Sequence, residues 1–291
     1  MLKKKLLISF TFCLFLYCAY GQSKPEWHAH RGFRGLMAES TIPAMKNALD
    51  LKADVLEFDI TFTKDKQAVV SHDPKLDYLI TLDKDGKEIP KAANLAIYQM
   101  EYKVLKTYDI GSKQHKDFPG QKNFKAHMPL LKELLDSVEH YATLKGYQKP
   151  VYNIETKTSK ARDGIYQPAP EEFVKRLMKV IYKAKVQDRV IIQSFDPRTL
   201  EIVRRDYPKV AVMLITVKGN LSDNMKKLSF LPDYYAPSPN LINKEVVDFC
   251  KQQGIKLLCG NTNNKKDIEK VLALGVTRVC SDYPYQLIPA E

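Results

Sequence analysis

The sequence predicts an α/β chain folded as a TIM-type (β/α)8 barrel with a small insertion after its second strand. Three observations carry this expectation. From residue 171 onward, short apolar runs alternate with helical stretches, the pattern of parallel βα units. With the front half included, eight such runs are present, and in a chain of this size that number favours a closed barrel over an open sheet. One long stretch, residues 74–128, breaks the rhythm.

The chain opens on addressing information. Lys3, Lys4 and Lys5 precede an uncharged apolar run at 6–17, and Ala19-Tyr20-Gly21 offers small residues for a signal peptidase. Residues 1–21 therefore read as a signal peptide cleaved before Gln22, leaving 22–291 as one domain. The apolar run falls short of the roughly 20 residues a bilayer requires. Cys18 raises lipid attachment as an alternative, which the bulky Tyr17 before it disfavours. With no second long apolar stretch, the expectation is an exported protein, periplasmic or secreted, without stable membrane insertion.

The strands follow in order. Residues 26–30, 53–60 and 151–155 supply the front of the barrel, and a short run at 67–71 follows the second. Residues 189–193 form the next buried strand, and Asp196-Pro197 then opens a helix with a cap residue and a proline at the first helical position. Strands at 210–215 and 233–236 precede a helix at 243–252 stopped by Gly254. A strand at 255–259, a helix at 265–274 ended by Gly275 and a last strand at 277–280 complete the series. Between 74 and 128 the turn signals Asp85-Gly86 and Phe118-Pro119-Gly120 mix with lysines and tyrosines. Leu79, Ile80, Ile97, Tyr98, Leu105, Tyr108 and Phe118 give that stretch enough apolar surface to pack, as an insertion able to cover the barrel mouth.

The formal charge is +12, and removing the three leader lysines leaves +9. That balance favours anionic partners, although charge alone fits any basic exported protein. No nucleic-acid recognition motif and no glycine-rich phosphate loop is present, which removes support for nucleic-acid binding and for P-loop or Rossmann chemistry. Cys250, Cys259 and Cys280 form no disulfide framework. They read as buried thiols, with a Cys259–Cys280 bridge as the lesser alternative.

Glu57 and Asp59 are the sharpest chemical signal. Alternation along 53–60 puts Val55, Glu57 and Asp59 on one face and Leu56, Phe58 and Ile60 on the other. The apolar face suits the outer helices. The acids then point into the barrel near the strand's C-terminal end, where barrel enzymes keep their active sites. Two such carboxylates require a cation, a basic partner or a shared proton. Glu155 ends the next strand and shares a face with Asn153 and Lys157. It reads either as the salt-bridge partner of Lys157 or as a third oxygen ligand for a hard cation, Mg²⁺ or Ca²⁺. His30 and His72 close short runs on either side of the acidic strand, where they are suited to acid–base work near neutral pH. Arg31 offers a planar fork for phosphate. His28, His115, His127 and His140 read as structural or surface residues, with His28 the least certain because it shares the face of His30.

Together these residues carry a family likeness. His30-Arg31-Gly32, Glu39-Ser40-Thr41, Glu57-Phe58-Asp59, Thr63-Lys64-Asp65 and His72-Asp73 resemble, in order and spacing, the signature of glycerophosphodiester phosphodiesterases. The likeness continues through Pro129-Leu130, Ile154-Glu155-Thr156-Lys157, Gln193-Ser194-Phe195 and Ser281-Asp282-Tyr283-Pro284. It implies a TIM barrel with an insertion after the second strand. It implies a divalent metal, Ca²⁺ or Mg²⁺, on Glu57, Asp59 and Glu155, with His30 and His72 as acid and base. Arg31 and Lys157 would contact the phosphate of a small glycerophosphodiester, which is converted to glycerol 3-phosphate and an alcohol. The resemblance further implies attack by the substrate's own glycerol hydroxyl. Three departures stand out: Ser40 where asparagine is frequent, Lys52 where glycine is common, and Cys259-Gly260-Asn261 near the seventh strand, where Asn261 is expected to keep a polar role. A phospholipase D-like lipid phosphodiesterase on the same barrel and a catalytically silent phosphodiester-binding protein are the alternatives.

Overall fold

The structure, a computed structural model, describes residues 24–289. The leader at 1–21 and Cys18 lie outside the described residues. Strand β1 (Glu26–Ala29) leads through a single 3-10 turn to helix α1 (Ile42–Asp50), whose first turn is capped by the Thr41 hydroxyl accepting from the Ala44 N–H. β2 (Val55–Phe62) is followed by β3 (Ala68–Val70), a short helix α2 (Tyr102–Leu105) and α3 (Leu131–Lys145). Then come β4 (Val151–Thr156), α4 (Pro170–Lys183), β5 (Val190–Ser194) and α5 (Pro197–Asp206), the last capped by Asp196. β6 (Ala211–Thr216), α6 (Leu221–Met225), β7 (Tyr234–Pro237), α7 (Lys244–Gln253), β8 (Lys256–Leu257), α8 (Lys265–Ala273) and β9 (Arg278–Ser281) finish the chain.

Eight parallel strands run in the order β8-β7-β6-β5-β4-β2-β1-β9. The ring is drawn together by a parallel bridge between Cys259 and Val279, with the Cys259 N–H donating to the Arg278 carbonyl at 2.9 Å and the Cys280 N–H to the Cys259 carbonyl at 3.1 Å. Side chains sort by alternation. Leu56, Phe58, Ile60 and Phe62 of β2 pack outward with the helices, whereas Ile191, Met213, Tyr234, Leu258 and Cys280 fill the interior below the site.

The expected strands are present within one or two residues of their sequence positions, except that β8 shrinks to Lys256–Leu257. β3 pairs antiparallel with β2 and stands outside the ring, so His72 arrives on a hairpin rather than at a barrel-strand end. The stretch after β3 packs as an insertion around Leu76, Ile89, Ile97, Leu105, Ile110 and Met128. Cys250, Cys259 and Cys280 are free buried thiols. The Cys259–Cys280 bridge is excluded by direction: the two are backbone neighbours across the seam, yet Cys259 faces the outer core and Cys280 the interior.

Candidate active site

The site forms where β1, β2, β4, β5 and the segment after β9 end. Parallel register sets Glu57 beside Asn153 and Asp59 beside Glu155, with Glu155 beside Gln193 on the next strand. One oxygen each of Glu57, Asp59 and Glu155 falls within 4.8 Å of the others, and all three residues are buried. Glu57 is held by its neighbours: its Oε1 accepts from Gln193 Nε2 at 2.7 Å and its Oε2 from the Arg31 N–H at 3.0 Å. Asn153 in turn donates to Gln193 Oε1 at 3.0 Å. Asp59 differs. It is 1% exposed, and neither of its carboxylate oxygens has a hydrogen-bond partner. Its nearest cations stand at 3.7 Å, Lys157 Nζ from Oδ1 and Arg31 Nε from Oδ2.

Burial pushes the Glu57 carboxyl well up, and Asp59 adds to the rise. Burial likewise raises Glu155 against the pull of Lys157, whose ammonium lies 2.8 Å from Glu155 Oε1. At Asp59, burial is outweighed by Lys157, His72 and Arg31, and the carboxyl is held below its ordinary range. The three acids therefore cannot all ionise comfortably on the two cations beside them, Arg31 and Lys157. A buried carboxylate without a hydrogen bond, grouped with two others, is an all-oxygen donor set that fits a hard divalent cation. The site is thus compatible with one.

The turn after β1 places the next groups. Arg31, Gly32 and Phe33 have φ of 51°, 80° and 58°, three left-handed residues in succession. A Cβ on Gly32 would lie 2.9 Å from the Ala44 Cβ, so the turn sits directly on α1. Bending the chain this sharply aims the Arg31 amide at Glu57. It turns the guanidinium toward Glu39, whose Oε1 accepts from Arg31 Nη1 at 2.8 Å, while Arg34 Nη1 lies 3.3 Å from Glu39 Oε2. His30 Nδ1 lies 2.5 Å from Asp282 Oδ1, and Asp282 also accepts from Arg34 Nε at 2.9 Å and Asn263 Nδ2 at 2.7 Å. Burial lowers the His30 pKa despite that aspartate. The Asp282 carboxyl lies well below the usual range because His30 and Arg34 outweigh its burial. His72 sits at the mouth, 31% exposed, with Nδ1 3.1 Å from Asp73 Oδ1.

All seven residues singled out by sequence (His30, Arg31, Glu57, Asp59, His72, Glu155 and Lys157) converge on this end of the barrel. Asp282, Glu39 and Gln193 complete the cluster. Each stood in a recognisable motif, but its role was not readable: Asp282 meets His30 across 252 residues of sequence. The polar position assigned to Asn261 belongs to Asn263 instead, because Asn261 is exposed while Asn263 reaches Asp282. His28 is buried and structural, bonded to Glu26 at 2.9 Å and Asn153 at 3.4 Å. His115 accepts from the Asp117 N–H within the insertion, and His127 and His140 are exposed.

Fold and site together define a (β/α)8-barrel enzyme with a carboxylate cluster at the C-terminal mouth. Residues 30–286 match the glycerophosphoryl diester phosphodiesterase family. A glycerophosphodiester phosphodiesterase of Caldanaerobacter subterraneus is 29% identical over 265 residues, covering 89% of this chain and 95% of that protein. One from Bacillus subtilis is 30% identical over 263 residues, covering 88% and 83%. Among solved structures, an Oleispira antarctica phosphodiesterase in complex with the product sn-glycerol-3-phosphate superposes with a TM-score of 0.71 at 21% identity, covering 91% of this chain and 95% of that one. The chain belongs to the glycerophosphoryl diester phosphodiesterase family, and it is a phosphodiesterase.

Proposed function

We propose that this chain hydrolyses small glycerophosphodiesters to glycerol 3-phosphate and an alcohol, with a divalent cation on Glu57, Asp59 and Glu155 and with His30 and His72 as base and acid. The observation that carries the reading is Asp59, a buried carboxylate with no hydrogen-bond partner, grouped with two others and within the electrostatic reach of His72 and His30. Bound Ca²⁺ or Mg²⁺ would neutralise phosphoryl charge and acidify a hydroxyl.

The remaining work falls to the protein. Arg31 and Lys157 line the acids and are suited to hold phosphoryl oxygens. His30, kept neutral by burial and donating Nδ1–H to Asp282, presents Nε2 as the free base. The glycerol 2-hydroxyl attacks phosphorus and gives its proton to that nitrogen. The bond to the alcohol breaks, and His72 delivers a proton to the departing oxygen. Water then opens the cyclic phosphate with the two histidines' roles exchanged. Tethering the nucleophile to its own phosphorus is worth an effective molarity of roughly 10⁵ M or more.

The test is glycerol 3-phosphate release from glycerophosphocholine with and without a chelator. Turnover should vanish on exhaustive chelation and return with added Ca²⁺ or Mg²⁺, and Glu57→Gln should weaken divalent-ion affinity by about 10²-fold. Undiminished activity in chelator would overturn the metal assignment. A 2-deoxyglycerol analogue turned over as fast as the natural substrate would replace hydroxyl attack with direct attack by water.

A second reading, a phospholipase D-like lipid phosphodiesterase, draws on Ile165, Phe195 and Val217, which are exposed after β4, β5 and β6 at the barrel's C-terminal end. Faster turnover of a lysophospholipid than of its deacylated form would favour it. Export is also proposed, on the leader at 1–21. A mature N-terminus at Gln22 in the exported fraction would establish it, and an uncleaved protein retained in the cytoplasm would reject it.

A further inference from the structure

A cavity of about 390 Å³ opens beside the His72–Asp73 pair, between the insertion and the connection from β4 to α4. That is room for a headgroup-sized molecule. Its wall carries Lys75 and Lys91 from the insertion and Arg162 from the connection. Among the described residues none of the three pairs with a carboxylate, although ion pairs are plentiful elsewhere on this basic chain. Two aromatic rings also line the cavity, and each already holds an ammonium over one face: Lys75 Nζ lies 4.7 Å from the centre of Tyr166 and Lys91 Nζ 5.7 Å from the centre of Tyr78. The carboxylates present are Asp73, bonded to His72, and Asp77, which accepts from the Leu79 N–H at 2.9 Å. Three cations without a carboxylate partner among the described residues thus face two acids that are already engaged.

We propose that this cavity seats the departing alcohol of the substrate and selects an alcohol that carries an anionic group, phosphate or carboxylate, over a quaternary ammonium. The inference rests on the phosphodiesterase reading above and specifies its substrate class. Position supports the role, because the cavity shares Asp73 with the histidine assigned to protonate the leaving oxygen. Charge sets the preference. An anionic group gains charge-assisted bonds from Lys75, Lys91 and Arg162. A trimethylammonium group meets three like charges and ring faces where lysines already make the cation–π contact that it would need.

The experiment compares kcat/KM for glycerophosphoinositol phosphate, glycerophosphoinositol and glycerophosphocholine in the mature protein and in the Lys75→Gln/Lys91→Gln/Arg162→Gln variant. The expected order is phosphorylated, then neutral, then cationic, with about tenfold or more between the ends. In the variant that spread should collapse mainly through KM, as loss of a binding contact requires. Calorimetric titration with inositol phosphate runs in parallel, and its affinity should fall at least about tenfold in the variant. Equal kcat/KM for the three substrates, a preference for choline, or unchanged inositol phosphate affinity in the variant would overturn the proposal. If no substrate turns over, the phosphodiester reading fails by itself, and the titration still decides whether the cavity is an anion site.

Discussion

At the scale of single residues, Asp282 decides what His30 can do. Its carboxylate bonds Nδ1, fixes the ring and leaves Nε2 as the acceptor. Two opposed sets of influences act on that imidazole: burial lowers its pKa, with Arg31 and Arg34 adding to the fall, and Asp282 raises it. Asp282→Asn keeps the size but removes the charge. Activity is expected to fall within the range of about 10²- to 10⁴-fold that general acid–base catalysis contributes. The sign of the pH effect follows from the two influences. With the raising one gone, the His30 pKa drops further, and the acid limb of the kcat/KM profile moves to lower pH. An acid limb that stays in place would show that Asp282 acts on packing alone.

At the scale of elements, the described left-handed residues other than glycine lie in turns and helix ends and not in the strands. Ser40 and Lys52, the two positions where the family resemblance leads one to expect asparagine and glycine, have φ of 57° and 63°. Those residue types are the ones that tolerate the left-handed region, so the departures put less permissive residues at left-handed positions. Lys185, just past the end of α4, is also left-handed at 57° and is exposed. Glycine is the usual residue where a helix ends this way. Lys185→Gly should therefore stabilise the fold by about 1 kcal/mol, readable in chemical denaturation with an unchanged m-value. A loss of stability would mean that the lysine stem packs more usefully than its exposure indicates.

Across the whole molecule, the barrel is not equally strong around its circumference. β2 and β4 pair over six registered residues, from Val55 with Val151 to Ile60 with Thr156, whereas β8 contributes two residues and the chain just beyond it meets β9 through one bridge, at Cys259. Amide exchange should be faster at 256–259 than along β2 and β4, because fewer bonds must open there. Uniform protection around the ring would contradict this. A second whole-molecule effect links folding to the site. Burial raises Glu57 and Glu155, so as pH falls they take up protons sooner than free carboxylates and surrender any cation they hold. Added Ca²⁺ or Mg²⁺ should raise the melting temperature near neutral pH, and the gain should shrink on acidification. A gain independent of pH would place the binding elsewhere.

The sequence by itself determined the barrel and where most candidate site residues sit on it, because both rest on short-range regularities. Alternation along β2 separates Glu57 and Asp59 from Leu56, Phe58 and Ile60, and an apolar run ending in Glu155 marks a strand end, whatever the rest of the chain does. Caps and stops such as Asp196-Pro197 and Gly254 are equally local, and the helices begin and end on them. Only the tertiary structure decided which groups meet across the ring. The union of His30 with Asp282, of Arg31 with Glu39 and of Gln193 with Glu57 depends on strand order and register, and so does the choice of Asn263 over Asn261. The antiparallel course of β3, which carries His72 over the mouth, was hidden for the same reason: an apolar run looks alike whichever way its partner runs. The bare carboxylate of Asp59 is a statement about what surrounds it in three dimensions, and no pattern along the chain encodes it.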